Sequence, residues 1–316
     1  MTGHPVLLAG ALAVALWAVA ALISPGFASY PQVLNLLTVS AFLGVIAIGQ
    51  TIVILSGGEG IDLSVGAVAT LAAIVASRVM EGSNANLVQG ILFALVAAAC
   101  VGLVNGVGIT FFRVPPLVMT LGMIGVVQGA IRLYTGGQPK GSVAPALREL
   151  VAGNTVLGIP GVLWLWLGLI LGVLWLLRRT TFGWRVYAMG AGRRTAYLSG
   201  VRVRRMVLGV YTLSSVFAGV GGLLLLGYTQ SVFLRLADGY MLPSIAAVVV
   251  GGTALVGGVG GYLGTAVGAV LLTVLGSFLD ILQIGESGSD APRQIIYGAV
   301  LLAVLSVYGR GRRLRS

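Results

Sequence analysis

RRTTFGWRVYAMGAGRRTAYLSGVRVRRM, residues 178–206, is the one long stretch of this chain that water should wet. It holds eight arginines: Arg178, Arg179, Arg185, Arg193, Arg194, Arg202, Arg204 and Arg205. On both sides the chain turns lipid-like. A large basic break between apolar runs holds a membrane protein in one orientation, and it is a natural place to meet a soluble partner.

The composition points the same way. The 316 residues are 58% hydrophobic and 9% charged, with a mean hydropathy of +1.03. A soluble domain carries about 25% charged residues. Most of this surface must therefore face lipid. A net charge of +11 would otherwise suggest nucleic acid. The arginines sit beside apolar spans rather than on a patch interleaved with aromatics, which argues against it. Cys100 is the only cysteine and His4 the only histidine. No disulfide can form within the chain, and no metal centre or catalytic site built on these residue types is expected.

At about 20 residues per crossing, ten apolar stretches are long enough to span: 5–23, 38–55, 63–80, 87–112, 116–135, 159–177, 207–227, 242–256, 261–282 and 294–308. The first lacks the basic start and the cleavage site of a signal peptide, so it reads as a retained span. Loop 178–206 and the tail arginines Arg310, Arg312, Arg313 and Arg315 fall on one side, with Arg113. That places thirteen of the 19 basic residues inside. The expected fold is therefore all-α: a polytopic integral membrane helical bundle of about ten transmembrane helices, N-in and C-in. One domain covers 1–316 and carries its cytoplasmic segment at about 178–206. Outside, 136–158 is punctuated by glycine and proline, with a short helix at 143–151.

Two glycine-rich breaks interrupt the apolar pattern. GGEGIDLSVG at 57–66 places Glu59 and Asp62 between two spans. Asp62 there can sit at the start of the third span and accept backbone N–H groups, with Ser64 as a cap. Charges at membrane depth also mark substrate paths and proton relays. A relay needs several aligned groups, and only Asp280 lies elsewhere inside a span. GGTALVGGVGGYLG at 251–264 has the Gly252–Gly257 spacing of a phosphate loop, but Gly258 stands where lysine must reach the phosphates. It reads as a flexible break without nucleotide binding. Gly102/Gly106, Gly168/Gly172 and Gly264/Gly268 have small-xxx-small spacing, which lets helix backbones approach closely. Asn35, Gln50, Asn105, Thr120, Gln128 and Ser214 either line a path or bond neighbouring helices. Trp164, Trp166 and Trp175 read as interface anchors.

GQTIVILSGGEGIDLSVGAV (49–68), RVPPLVMTLGMI (113–124), YAMGAGRRTAYLSGVRV (187–203) and SIAAVVVGGTALVGGVGGYLGTAVGAVL (244–271) together resemble the permease subunits of ribose/xylose/galactose-type ABC importers. These are monosaccharide transporter membrane domains related to branched-chain amino-acid permeases. The resemblance keeps the segment order along essentially the whole chain. It implies a pair of permeases, a second copy or a paralogous chain, in the plasma (inner) membrane. It also implies a cytoplasmic ABC ATPase subunit holding ATP and Mg, and an extracytoplasmic sugar-binding protein. This chain itself would hold no cofactor and catalyse nothing. The resemblance places the ATPase coupling contact on Ala188, Gly190, Arg193, Arg194, Leu198, Ser199 and Gly200. Structural or pathway residues are expected at Gly60, Asp62, Ser64, Gly66, Asn105, Gly251 and Gly252. Relatives usually carry Asn at the position of Gly192 and often a carboxylate at Arg193, departures that suit one half of a heterodimeric permease. The sequence-level alternatives are an ion-coupled secondary transporter, an ABC permease for a branched-chain amino acid or a nucleoside, and a polytopic membrane enzyme.

Overall fold

The apolar runs fold into helices that pair along their small-residue faces. The computed structural model describes residues 3–156, 158–282, 295, 296, 298 and 299. In chain order the helices are α1 (Gly3–Ile23), α2 (Tyr30–Leu55), α3 (Val65–Met80), α4 (Leu87–Thr110), α5 (Pro116–Thr135), α6 (Pro145–Ala152), α7 (Gly161–Arg179), α8 (Thr181–Ala191), α9 (Arg193–Leu198), α10 (Val203–Thr229), α11 (Met241–Val250) and α12 (Tyr262–Ile281). A small antiparallel hairpin, β1 (Asn154–Val156) with β2 (Ile159–Pro160), joins α6 to α7.

Among the described residues, seven helices are long and apolar enough to cross a membrane: α1, α2, α4 with its preceding turn, α5, α7, α10 and α12. The expected span at 242–256 is corrected. Its helix stops at Val250 after ten residues, a rise of about 15 Å against a hydrocarbon core of about 30 Å. The backbone of Gly251 lies against Gly264, and Gly252 takes a left-handed φ of 89°. From there the chain runs as an irregular break to α12. The expected span at 63–80 is also short, at 16 residues. The tenth expected span, 294–308, lies outside the described residues except for helical positions 295, 296, 298 and 299.

Lipid offers no hydrophobic drive between helices, so close packing must hold them together. α10 takes the centre, against α2, α3 and α4. A Cβ on Gly102 or Gly106 of α4 would run into the α10 backbone at Tyr211, Thr212 and Leu208. Gly264 and Gly268 of α12 approach Gly251 and Ala247 in the same way. Gly168 and Gly172 of α7 have open space around them within this chain. Leu92, Phe93 and Leu103 of α4, with Leu121 and Val126 of α5, present exposed apolar side chains, as a lipid-facing surface requires. Trp175 and Trp164 are exposed on α7, but Trp166 is not an interface anchor. It is only 6% exposed, and its Nε1 donates to the Tyr262 hydroxyl at 2.8 Å, which in turn donates to the Gly44 carbonyl at 2.9 Å.

Candidate functional site: a glycine junction, a buried carboxylate and an open cavity

Both glycine-rich breaks end against the basic segment. α2 stops at Leu55, and Gly57, Gly58 and Glu59 follow with left-handed φ values of 71°, 67° and 57°. The Leu55 carbonyl, orphaned by the helix end, accepts the Gly258 N–H of the second break at 3.0 Å. Gly190 of α8 is wedged at this crossing. A Cβ there would meet the Leu55 carbonyl oxygen and the Gly258 nitrogen well inside 3.0 Å. Gly257 lies against Gly57 with equal intimacy. Two polar contacts reinforce the junction. Arg193 Nη2 donates to the Gly57 carbonyl at 3.1 Å, and the Tyr187 hydroxyl donates to the Gly260 carbonyl at 2.9 Å. Burial pushes the Tyr187 phenol above its ordinary range despite the nearby Arg178 charge, so it stays a donor.

Farther along the first break, Asp62 is fully buried. Its Oδ1 accepts the Ser64 N–H at 3.0 Å and the Ser64 hydroxyl at 2.6 Å. Its Oδ2 accepts the Ser214 hydroxyl of α10 at 2.8 Å. Asn105 Nδ2 of α4 donates to Ser64 Oγ at 3.0 Å. Asp62 accepts a backbone N–H as expected, closing the turn by bonding the residue two positions on, but Ser64 makes no side-chain cap bond. Irregular backbone survives at membrane depth only when protein buries and satisfies it. The Asp62 knot does both.

Beyond the break lies a cavity of about 830 Å³. Leu63, Gly66 and Ala67 of the first break and α3 line one part of it. Ile124 and Gln128 of α5, Thr273, Ser277 and Asp280 of α12, and the segment from Asp238 to Pro243 line the rest. Arg235 Nε donates to Asp238 Oδ2 at 2.7 Å, and Gln128 Nε2 approaches the same oxygen at 3.4 Å.

Residues 32–305 match the family described as branched-chain amino acid transport system / permease component. The chain belongs to this permease family. It is 33% identical over 292 residues to the ribose import permease protein RbsC of Escherichia coli (strain K12), covering 91% of this chain and 89% of that protein. It is 34% identical to RbsC of Bacillus subtilis (strain 168), covering 91% and 88%. It is 32% identical to the autoinducer 2 import system permease protein LsrC of Yersinia pseudotuberculosis serotype O:3 (strain YPIII), covering 94% and 82%. No solved structure matches the chain.

Within this permease the residues expected for coupling divide into two groups. Ala188, Gly190 and Arg193 are half-buried and face the chain's own breaks or helices, whereas Arg194, Leu198, Ser199 and Gly200 are exposed. Tyr197 and Leu198, at 69% and 77% exposure, form an apolar tip beside Arg194. Of the other expected residues, Asp62, Ser64 and Asn105 come together in the buried knot. Gly60 abuts the Val53 carbonyl, Gly251 abuts α12 and Gly252 abuts Pro5. Gly66 alone of that set lines the cavity. The cavity residues Arg235, Asp238, Thr273 and Ser277 had no path role in the sequence reading, and Asp280 entered it only as the other carboxylate inside a span. Polar positions at 273, 277 and 280, on one helical face, were the available signal.

Proposed function

We propose that this chain is the membrane permease of an ATP-driven importer for a monosaccharide or related small polyol. Near-full-length similarity to ribose import permeases supports the transport class. The mechanism rests on one observation: Gly190 of α8 is wedged where the two membrane breaks cross. By the positive-inside rule the arginine-rich end is cytoplasmic. The exposed tip at Arg194, Tyr197, Leu198 and Ser199 docks on a separate ABC ATPase subunit, which holds ATP and Mg. A second permease completes the pair, and an extracytoplasmic sugar-binding protein delivers substrate.

ATP binding draws the two ATPase subunits together and pushes on α8 and α9. Close-packed backbone has no slack to absorb that push. The load passes through Gly190 and Arg193 to Gly57, and through Gly190 and Tyr187 to Gly258 and Gly260. Both breaks adjoin helices that line the cavity, so the displacement alternates its access.

Reconstitution with the cognate ATPase and binding protein tests this reading. Uptake of labelled D-ribose, D-xylose or D-galactose is expected to require ATP and the binding protein. Uptake that persists without ATP and collapses with an ion gradient would establish a secondary transporter instead. Leucine uptake with no sugar uptake would overturn the substrate class.

A further inference from the structure

We infer that the cavity bounded by Gln128, Asp238 and Ser277 is a hydroxyl-reading station in the permease itself: a binding site for an uncharged polyhydroxylated ligand. The inference rests on the import reading above and adds that this membrane chain, besides any binding protein, discriminates among substrates. The volume of about 830 Å³ falls within the roughly 300–1,000 Å³ of small-molecule sites.

The lining chemistry suits sugar hydroxyls. Gln128 offers both a donor and an acceptor, and Asp238 offers a carboxylate that accepts. Thr273 and Ser277 are four residues apart on α12, which puts both hydroxyls on one helical face. Tyr240 supplies a ring against which the C–H side of a sugar can lie, and Leu43 and Ile124 add apolar wall. An anionic ligand fits less well. Arg235 and Asp238 already neutralise each other at 2.7 Å, and the further charged side chain on the lining, Asp280, is a carboxylate.

The site is poised to accept a hydroxyl. Gln128 Nε2 stands 3.4 Å from Asp238 Oδ2, at the long end of a hydrogen bond. A ligand hydroxyl bridging the amide and the carboxylate replaces one poor bond with two good ones. The station is also tied to the moving parts. The Ala237 N–H donates to Thr70 Oγ1 of α3 at 3.0 Å, and a Cβ on Gly66 would meet the Ala237 carbonyl oxygen at 2.7 Å. Asp238 therefore rides on the first turns of α3, next to the break that Gly190 touches.

The test uses the permease–ATPase complex in lipid nanodiscs without binding protein. D-ribose, D-xylose, D-galactose and L-leucine serve as probes in saturation-transfer NMR. At least one sugar should receive saturation and leucine should not. Gln128→Leu should weaken that sugar's binding about tenfold, as expected for one lost hydrogen bond to a ligand. Ser277→Ala, which leaves the Arg235–Asp238 pair untouched, should weaken it in the same direction. Both variants should assemble with the ATPase as the wild type does. An absence of sugar signal above empty nanodiscs, in a complex that still imports sugar with its binding protein, would overturn the station alone. Sugar binding unchanged in both variants would do the same. A complex that imports leucine and no sugar would overturn the import reading instead.

Discussion

Arg193 reaches from the start of α9 to the Gly57 carbonyl, 136 positions earlier in the chain, and bonds it at 3.1 Å. A Cβ on Gly58 would run into the same guanidinium, so the arginine is seated against the first break on two sides. A hydrogen bond from a charged donor is worth about 1.5–3 kcal/mol. Arg193→Ala should therefore loosen the link between the basic segment and the membrane. Transport per ATP hydrolysed should fall severalfold in proteoliposomes. Arg194→Ala, on the exposed side, should leave the link intact and act through ATPase affinity. Equal transport-to-hydrolysis ratios in wild type and Arg193→Ala would remove Arg193 from the coupling path.

Gly190 admits no side chain, because the atoms its Cβ would strike belong to the backbone at Leu55 and Gly258. Backbone cannot rotate away as a side chain does, and overpacking of this kind costs about 1–3 kcal/mol. Gly190→Val should lower the detergent melting temperature of the permease and abolish ATP-driven uptake. Gly192→Ala is the control. Its nearest neighbour, Thr195 Oγ1, lies at 3.4 Å, and its φ of 174° is ordinary extended backbone. That variant should melt with the wild type. A Gly190→Val protein with wild-type melting and uptake would show the wedge to be slack.

The Tyr262 hydroxyl is both acceptor and donor in a buried relay from Trp166 to Gly44. Tyr262→Phe removes one oxygen and orphans the Trp166 indole N–H, while the Gly44 carbonyl, inside α2, keeps its intrahelical bond. A buried orphan costs about 1–3 kcal/mol. The variant should be markedly destabilised in thermal unfolding. Trp166→Phe should be destabilising too, and the double variant should lose less than the sum of the two, as residues in one network do. Strict additivity would contradict the relay.

Much of the fold was legible because each long helix is written locally, as a run of apolar residues of bilayer length. α1, α2, α4, α5, α7, α10 and α12 all arise that way. The half-helix α11 was less legible. Its apolar run continues through Val256, but the chain turns at Gly251 because Gly264 lies 13 positions ahead and pressed against it. The sequence resemblance marked Gly190 and Arg193 for coupling without saying what they touch within this chain. Their contacts are with Leu55, Gly57 and Gly258, pairings set by tertiary packing that no local pattern encodes. Trp166 was misassigned for a like reason: its tyrosine partner stands 96 positions away. The cavity depends on α5, α12 and the Asp238 segment converging, and only Gln128 and Asp280 had been noted among its polar groups.

Asp62 is the sharpest case in which structure and transport chemistry can be separated. The carboxylate accepts from the Ser64 N–H, the Ser64 hydroxyl and the Ser214 hydroxyl, and so pins the break to α10. Asn keeps one oxygen in place, and both serine hydroxyls can turn to meet its amide. Asp62→Asn should therefore fold, with melting within a few degrees of wild type, and should retain most uptake. Asp62→Ala leaves the Ser64 N–H and two hydroxyls buried without this acceptor, at about 1–3 kcal/mol for each group that finds no other. It should melt well below Asp62→Asn and transport poorly. A proton relay predicts a different ordering: Asn cannot exchange the proton, so Asp62→Asn would be as inactive as Asp62→Ala while remaining well folded. Uptake and melting curves measured side by side on the two variants decide between a structural clasp and a titrating group.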